Sequence, residues 1–346
     1  MGDVVEFLDT MRKPLEGAKR ISGPYPYYGA SGIVDYVDGY LFDEELVLLS
    51  EDGANITDRN YPVCYLASGK YWVNNHAHVL KTKDGNENNF ICNSLERKDY
   101  KQYNSGMAMP KLNQEVCRGI PISCPSFDEQ KKIGDYFRNL DHLITLHQRK
   151  LKHVKMMKKS MLQKMFPKKN QLYPEVRFPE FTDAWEQRKF SDVGSVAMCK
   201  RIFKEQTSDE GEVPFYKIGT FGGVPDAFIS RKLFDDYKTK YPYPNKGDIL
   251  ISASGSIGRT VEFTGKDEYF QDSNIVWLKH GDEIDNSFLK VLYSVVEWSC
   301  EGSTIKRLYN DNFLKTNFML PKIDEQIKLG AYFSTLDHLI TLHQRM

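Results

Sequence analysis

Leu140-Asp141-His142-Leu143-Ile144-Thr145-Leu146-His147-Gln148-Arg149 occurs again, letter for letter, from Leu336 to Arg345, an offset of 196 residues. Aligned over 125–150 and 321–346, the two copies agree at 18 of 26 positions, Asp128-Glu129-Gln130 falling on Asp324-Glu325-Gln326. A period this long is neither a solenoid unit nor a heptad array, so it implies two similar modules, each a globular part followed by a helix. The offset reaches into the globular parts, because Gly106-x4-Lys111-Leu112 falls on Gly302-x4-Arg307-Leu308.

Residues 129–165 read as one long helix. Ser126-Phe127-Asp128-Glu129 has the spacing of a capping box, and Pro167 stops the helix. Ile133, Phe137, Leu140, Ile144, Leu151, Val154, Met161 and Met165 follow one another at spacings near 3.5, interrupted on the same stripe by His147 and Lys158. So narrow a seam points to coiled-coil-like pairing. At 1.5 Å per residue the helix is about 55 Å long, more than a small domain can cover, so it acts as a spacer or docking rod. The second copy repeats the phase with Leu329, Phe333, Leu336 and Ile340 and lacks a counterpart of 151–165.

Upstream of each helix the modules read as strands and loops. Residues 45–50 and 71–81 are expected strands in the first module, with Ser50-Glu51-Asp52-Gly53 as a turn; 248–253 and 274–279 are their counterparts, with Ser254-Gly255-Ser256 as the turn. The fold class is mixed α/β (α+β), divided as 1–125, 126–170 (central helix), 171–320 and 321–346 (second helix, shortened).

Composition narrows the function classes. The 346 residues carry 47 basic and 47 acidic side chains, so the chain is no general polycation. The charge is local, however: residues 142–174 hold no Asp or Glu and include Arg149, Lys150, Lys152, Lys155, Lys158, Lys159, Lys164, Lys168 and Lys169, which suits a polyanion or an acidic partner surface. The six cysteines form no C-x-x-C pair and read as ordinary buried thiols. No apolar run is long enough to span a membrane and no leader stands at Met1, so a cytoplasmic protein is expected.

Catalytic signatures are sparse. Gly255-Ser256-Ile257-Gly258-Arg259-Thr260 lacks the ending of a phosphate loop. His76 and His78 share one side of a strand, but no Cys, Asp or Glu cluster in the sequence completes four ligands, so no metal is expected. No Ser-His-Asp set or paired-carboxylate signature is legible. For DNA, base edges are read by polar side chains while Lys and Arg hold phosphates. The candidates are Asn74, Asn75 and His76, beside Tyr71 and Trp72, in the first module. In the second they are Lys200, Arg201, Lys204, Lys217, Ser254, Ser256, Arg259, Gln271 and Asn274. Lys111 and the pair Lys306-Arg307 occupy equivalent places as a shared phosphate contact.

Pro125-x2-Asp128-Glu129-Gln130-x2-Ile133 and Pro321-x2-Asp324-Glu325-Gln326-x2-Leu329, each with its helix, resemble the specificity subunit of type I restriction-modification enzymes. Tyr28-Gly29-Ala30-Ser31-Gly32, Ser50-Glu51-Asp52-Gly53, Gly247-Asp248-Ile249-Leu250, and Phe178-Pro179-Glu180-Phe181 with Trp185 add to the resemblance. It implies two target-recognition domains, each reading half of a split sequence in double-stranded DNA, held by a pair of antiparallel helices. DNA methyltransferase subunits dock on those helices, here through Ile133, Phe137, Leu140, Ile144, Leu151, Val154, Met161, Leu329, Phe333, Leu336 and Ile340, and a restriction translocase subunit can join. The subunit itself is then not an enzyme, and S-adenosylmethionine belongs to the methyltransferase partner. Two other readings stay open: a fragment of a fused restriction-methylation enzyme with its catalytic domain elsewhere, and a helical scaffold that binds protein. An antiparallel pair would bare Ile133, Phe137 and Leu140; a parallel pair would bare Leu151, Val154 and Met161. Either way, self-association of the isolated chain is expected.

Overall fold

A computed structural model describes residues 1–302 and 306–345. The chain divides into two compact units, Met1–Leu146 and His147–Met346, with the division inside the long helix.

In the first unit, Leu46–Ser50 is the keystone. Its five residues are all buried, because both faces of the strand are covered. Val47 and Leu49 face a core shared with the helix Asn88–Glu96 through Phe90, Ile91 and Leu95. Leu46 and Leu48 face the opposite way, into a core with Tyr71, Val73 and Val79. The strand is thus a continuous apolar run with alternating destinations. It lies in an antiparallel sheet ordered Val5–Phe7, Ala77–Thr82, Leu46–Ser50, Cys64–Ala67. A second sheet orders Gly32–Val37, Ser22–Gly29, Lys70–Val73 and Phe42–Asp43.

The expected single strand over 71–81 is therefore two strands in two sheets, Lys70–Val73 and Ala77–Thr82. Asn74 breaks it: its Oδ1 accepts the His76 N–H at 2.8 Å, an Asx turn between the two strands.

The second unit repeats the plan. Ile249–Ser252 is again buried throughout, with Ile249 and Ile251 facing one core and Leu250 the other. Its antiparallel sheet runs Gly194–Ala197, Ile275–His280, Ile249–Ser252, Thr260–Glu262. The helix Asn286–Val295 takes the place of Asn88–Glu96. Of the six cysteines, Cys64, Cys92, Cys117 and Cys199 are buried, Cys300 is half-buried and Cys124 is exposed.

The two long helices are Phe127–Lys164 and Ile323–Arg345. Each is fastened at its first turn by the same side chain. Gln130 Oε1 accepts from the Glu87 N–H at 3.2 Å, and its Nε2 donates to the carbonyls of Gly85 (3.2 Å) and Pro125 (2.9 Å). Gln326 Oε1 accepts from the Asp285 N–H at 2.9 Å, and its Nε2 donates to Glu283 (3.0 Å) and Pro321 (2.9 Å). Both amides are buried with every polar atom engaged. One turn on, Gly134 and Gly330 let the neighbouring chain touch the helix backbone; a Cβ on Gly134 would collide with the Glu87 carboxylate, and one on Gly330 with the Ser287 hydroxyl.

Candidate nucleic-acid interface

The cation slots at Lys111 and Arg307 share one plan, although the Lys111 N–H goes to the Asn104 side chain and the Arg307 N–H to the Glu301 carbonyl. An isolated antiparallel bridge pairs Lys111 with Asp52 and Arg307 with Ser254. The next residue is a buried leucine in both units. Leu112 N–H donates to the Glu51 carbonyl at 2.7 Å and Leu308 N–H to the Ala253 carbonyl at 2.9 Å. The leucine pins the extended segment to the loop after the central strand, and alternation turns the cation outward, where both are exposed. Their surroundings differ: Lys111 Nζ lies 3.3 Å from Glu51, whereas the Arg307 guanidinium has no ion pair among the described residues.

In the second unit Arg307 lines a cleft of about 750 Å³ with Met198, Ala253, Ser273, Glu301, Tyr309, Asn310 and Lys315. An adjoining cleft of about 310 Å³ shares Met198 and adds Lys200, Arg201 and Asp272. Lys200 and Arg201 thus border one of two clefts that meet at Met198, and Arg307, more than 100 residues on, borders the other. Asn274 follows Ser273 directly and Ser254 follows Ala253, although Ser254 itself is buried. Ser273 holds a φ of 59°, a left-handed conformation costly for a side chain with a Cβ. Arg201 is partly committed, its Nε 2.8 Å from Asp272, and Lys200 stands over the Tyr241 ring at 5.1 Å.

Other candidates in this unit are framework or free surface. Gln271 Oε1 accepts from the Ile218 N–H at 2.9 Å and Arg259 donates to the Ile218 carbonyl at 2.6 Å, so these two brace the loop after Val213–Tyr216. Lys217 pairs with Asp226 at 2.9 Å. Ser256 is exposed, with its carbonyl taken by the Ser252 hydroxyl; Lys204 and Lys306 are exposed.

In the first unit, Asn74 is buried and spends its carbonyl oxygen on the turn, while Asn75 projects into solvent and His76 is half exposed, its Nδ1 2.9 Å from Asp52. Beneath them is a charge cluster that sequence reasoning missed. His78 is buried; Nδ1 lies 2.6 Å from Asp9 and Nε2 lies 2.7 Å from the Leu112 carbonyl. Two acceptors on two ring nitrogens require the imidazolium. Burial opposes that charge, yet the bonds to Asp9 and Cys117 outweigh it and push His78 up to about 10. Burial likewise opposes ionisation of Asp9, but the His78 bond holds its carboxyl below the usual range. Glu51 joins through Arg12, whose Nη1 is 2.6 Å from it and whose Nη2 is 3.4 Å from Asp9. Asp9, Glu51 and His78 lie close enough to share a metal ion, but Arg12 and Lys111 already pair with the two carboxylates, and an imidazolium has no free ring lone pair to offer. No sequence signal marks this cluster, since Asp9 and His78 are 69 residues apart.

The helix stripe behaves differently in the two copies. In the second unit Leu329, Phe333 and Leu336 are buried under Val154, Met157, Met161, Met165 and Phe166, and Ile340 is half-buried. Leu151 is half-buried as well. His147 Nδ1 meets His343 Nδ1 at 3.2 Å and Lys158 pairs with Asp337, so within this unit the two helices run antiparallel. Arg177 grips the buried Glu325 with two bonds of 2.8 and 2.7 Å, and Phe178, from the segment before Trp185, packs on the same core. In the first unit Ile133 packs on its own module's core, but Phe137 is 40%, Leu140 36% and Ile144 52% exposed. The bare end is thus the one that antiparallel pairing predicts, beginning after Ile133. The basic strip is partly paired, Lys164 and Lys168 both reaching Glu175.

The family described as type I restriction modification DNA specificity domain matches residues 1–156 and 182–346. The chain belongs to that family. A putative type I restriction enzyme specificity subunit of Haemophilus influenzae is 40% identical over 346 residues, covering 99% of this chain and 88% of the relative. A type I restriction enzyme specificity subunit of Methanocaldococcus jannaschii is 22% identical over 379 residues, covering all of this chain and 87% of the relative. Among solved structures, a type I restriction-modification system S subunit from M. genitalium superposes with a TM-score of 0.66 at 12% identity, over 99% of this chain and 90% of that one. A structure solved in work on complex assembly and conformational transition of the type I system gives 0.51 at 15%, over 99% and 92%. These likenesses support the two-module fold. No helix among the described residues is long and apolar enough to cross a membrane.

Proposed function

We propose that this specificity subunit reads a split target in double-stranded DNA, one half-site per unit, and performs no chemistry itself. The observation that carries this reading is the duplicated slot. Each unit presents a cation on the same pinned extended segment, Lys111 or Arg307, while the residues around it differ. A shared phosphate contact with divergent neighbours is what two readers of different bases need. The uncovered stripe Phe137, Leu140 and Ile144 is the docking face for DNA methyltransferase subunits, with a restriction translocase subunit as a further partner. S-adenosylmethionine is bound by the methyltransferase, and the assembly works in the cytoplasm. The test is to co-purify the chain with a methyltransferase subunit, measure binding to random and target duplexes, and sequence the methylated sites. A methylated motif in two parts supports the reading; no DNA binding with or without the partner overturns it.

A further inference from the structure

The pinned segment continues past its leucine in the same way in both units. Asn113 and Tyr309 cap short helices, Gln114–Arg118 and Asn310–Lys315, so Lys111-Leu112-Asn113-Gln114 and Arg307-Leu308-Tyr309-Asn310 are one scaffold with two sets of side chains. In extended backbone, positions two apart share a side. With Leu112 and Leu308 turned inward, Asn113 stands on the side of Lys111 and Tyr309 on the side of Arg307. Tyr309 is 49% exposed, Asn310 and Asn113 are exposed, and Gln114 is half-buried. None of the four side chains makes a hydrogen bond among the described residues. In the second unit Tyr309 and Asn310 line the same cleft as Arg307 and the strained Ser273.

From this placement, and resting on the DNA reading above, we infer that Tyr309 and Asn310 read bases of one half-site and that Asn113 and Gln114 read bases of the other. Side-chain amides match the donor and acceptor pair on the adenine edge in the major groove, and a phenol offers a hydroxyl and an apolar ring edge. None of these groups carries charge, so they add little to phosphate affinity; the cation two or three residues earlier supplies that. The leucine anchor fixes the distance between the phosphate contact and the base contact, giving both half-sites the same register.

The experiment uses the intact chain with its methyltransferase subunit, reading the methylated motif by sequencing and affinity by fluorescence anisotropy on target and scrambled duplexes. Asn310→Ala is expected to relax one or two adjacent positions in one half-site and Asn113→Ala in the other, each lowering target affinity by about tenfold to a hundredfold. Affinity for scrambled DNA stays within about twofold and the salt slope is unchanged. Tyr309→Phe, which removes only a hydroxyl, keeps the test open if Asn310→Ala fails to fold, and is expected to alter the same half-site as Asn310. An unaltered motif in every folded variant, or equal losses on target and scrambled DNA, overturns the inference. A wild-type complex with no split motif would overturn the underlying function instead, so the two failures are distinguishable.

Discussion

Arg307 and Lys111 share a backbone slot but not an environment, and the difference sets their expected effects. Arg307→Ala removes a guanidinium that has no ion pair among the described residues, and should weaken binding to all sequences while flattening the salt dependence by about one unit. Lys111→Ala should do the same less strongly, because Lys111 already shares its charge with Glu51 at 3.3 Å; equal slopes measured for the two variants would contradict this. The other residue of consequence is His78. It sits opposite Leu49 where the second unit sets Val276 opposite Ile251, so an ion cluster in one module replaces plain apolar packing in the other. Its pKa is raised in the fold, from 6.5 to about 10. The stability it contributes is therefore complete below pH 6.5 and is lost as pH rises toward 10, at up to about 1.4 kcal/mol per pH unit. Denaturant titrations of the first unit's signal between pH 7 and 10 should show that slope, and His78→Val should flatten it.

At the scale of elements, the buried amide at the head of each long helix is the joint on which each module hangs. Gln130→Ala and Gln326→Ala should each cost about 1 to 3 kcal/mol, since either change strands a buried N–H and two carbonyls, and each should lower the melting of its own unit alone in differential scanning calorimetry. The long helix and its duplication were legible because they rest on local periodicity, and the chain's own letters place them within two residues of 129–165. What the glutamines hold was not legible: Gly85 and Glu87 lie more than 40 residues upstream and make no pattern with them. The strand over 71–81 misled for a related reason, because period-two alternation carries on through Asn74 while the two halves join different sheets. The base-reading positions were nearer to view, two and three residues beyond Lys111 and Arg307 at the same offset. Phe137 and Phe333 show the limit of pattern reading most directly, being the same repeat letter with opposite fates. Phe333→Asp should unfold the second unit, costing more than the roughly 3 to 5 kcal/mol of a truncation to alanine. Phe137→Asp should leave melting unchanged and reduce self-association of the isolated chain in light scattering. An isolated wild-type chain that stays monomeric at high concentration would remove the basis for that expectation.

For the whole molecule, a connector of 38 residues, about 57 Å of helix, bears on the target rather than on either reader. Methylome sequencing should return two short half-sites with centres roughly one helical turn, about 10 base pairs, apart, and a single uninterrupted motif would refute the bipartite reading. The glutamine joint has a last consequence. Because Gln130 and Gln326 each accept from one backbone N–H and donate to two carbonyls at corresponding places, and because Gly134 and Gly330 each clear room for the neighbouring segment, the fitting between reader and rod is standardised. A module grafted from a relative at that boundary would bring a new half-site without disturbing the grip, so new target combinations could arise by exchange of whole cassettes, with no need for stepwise change in the residues that touch DNA.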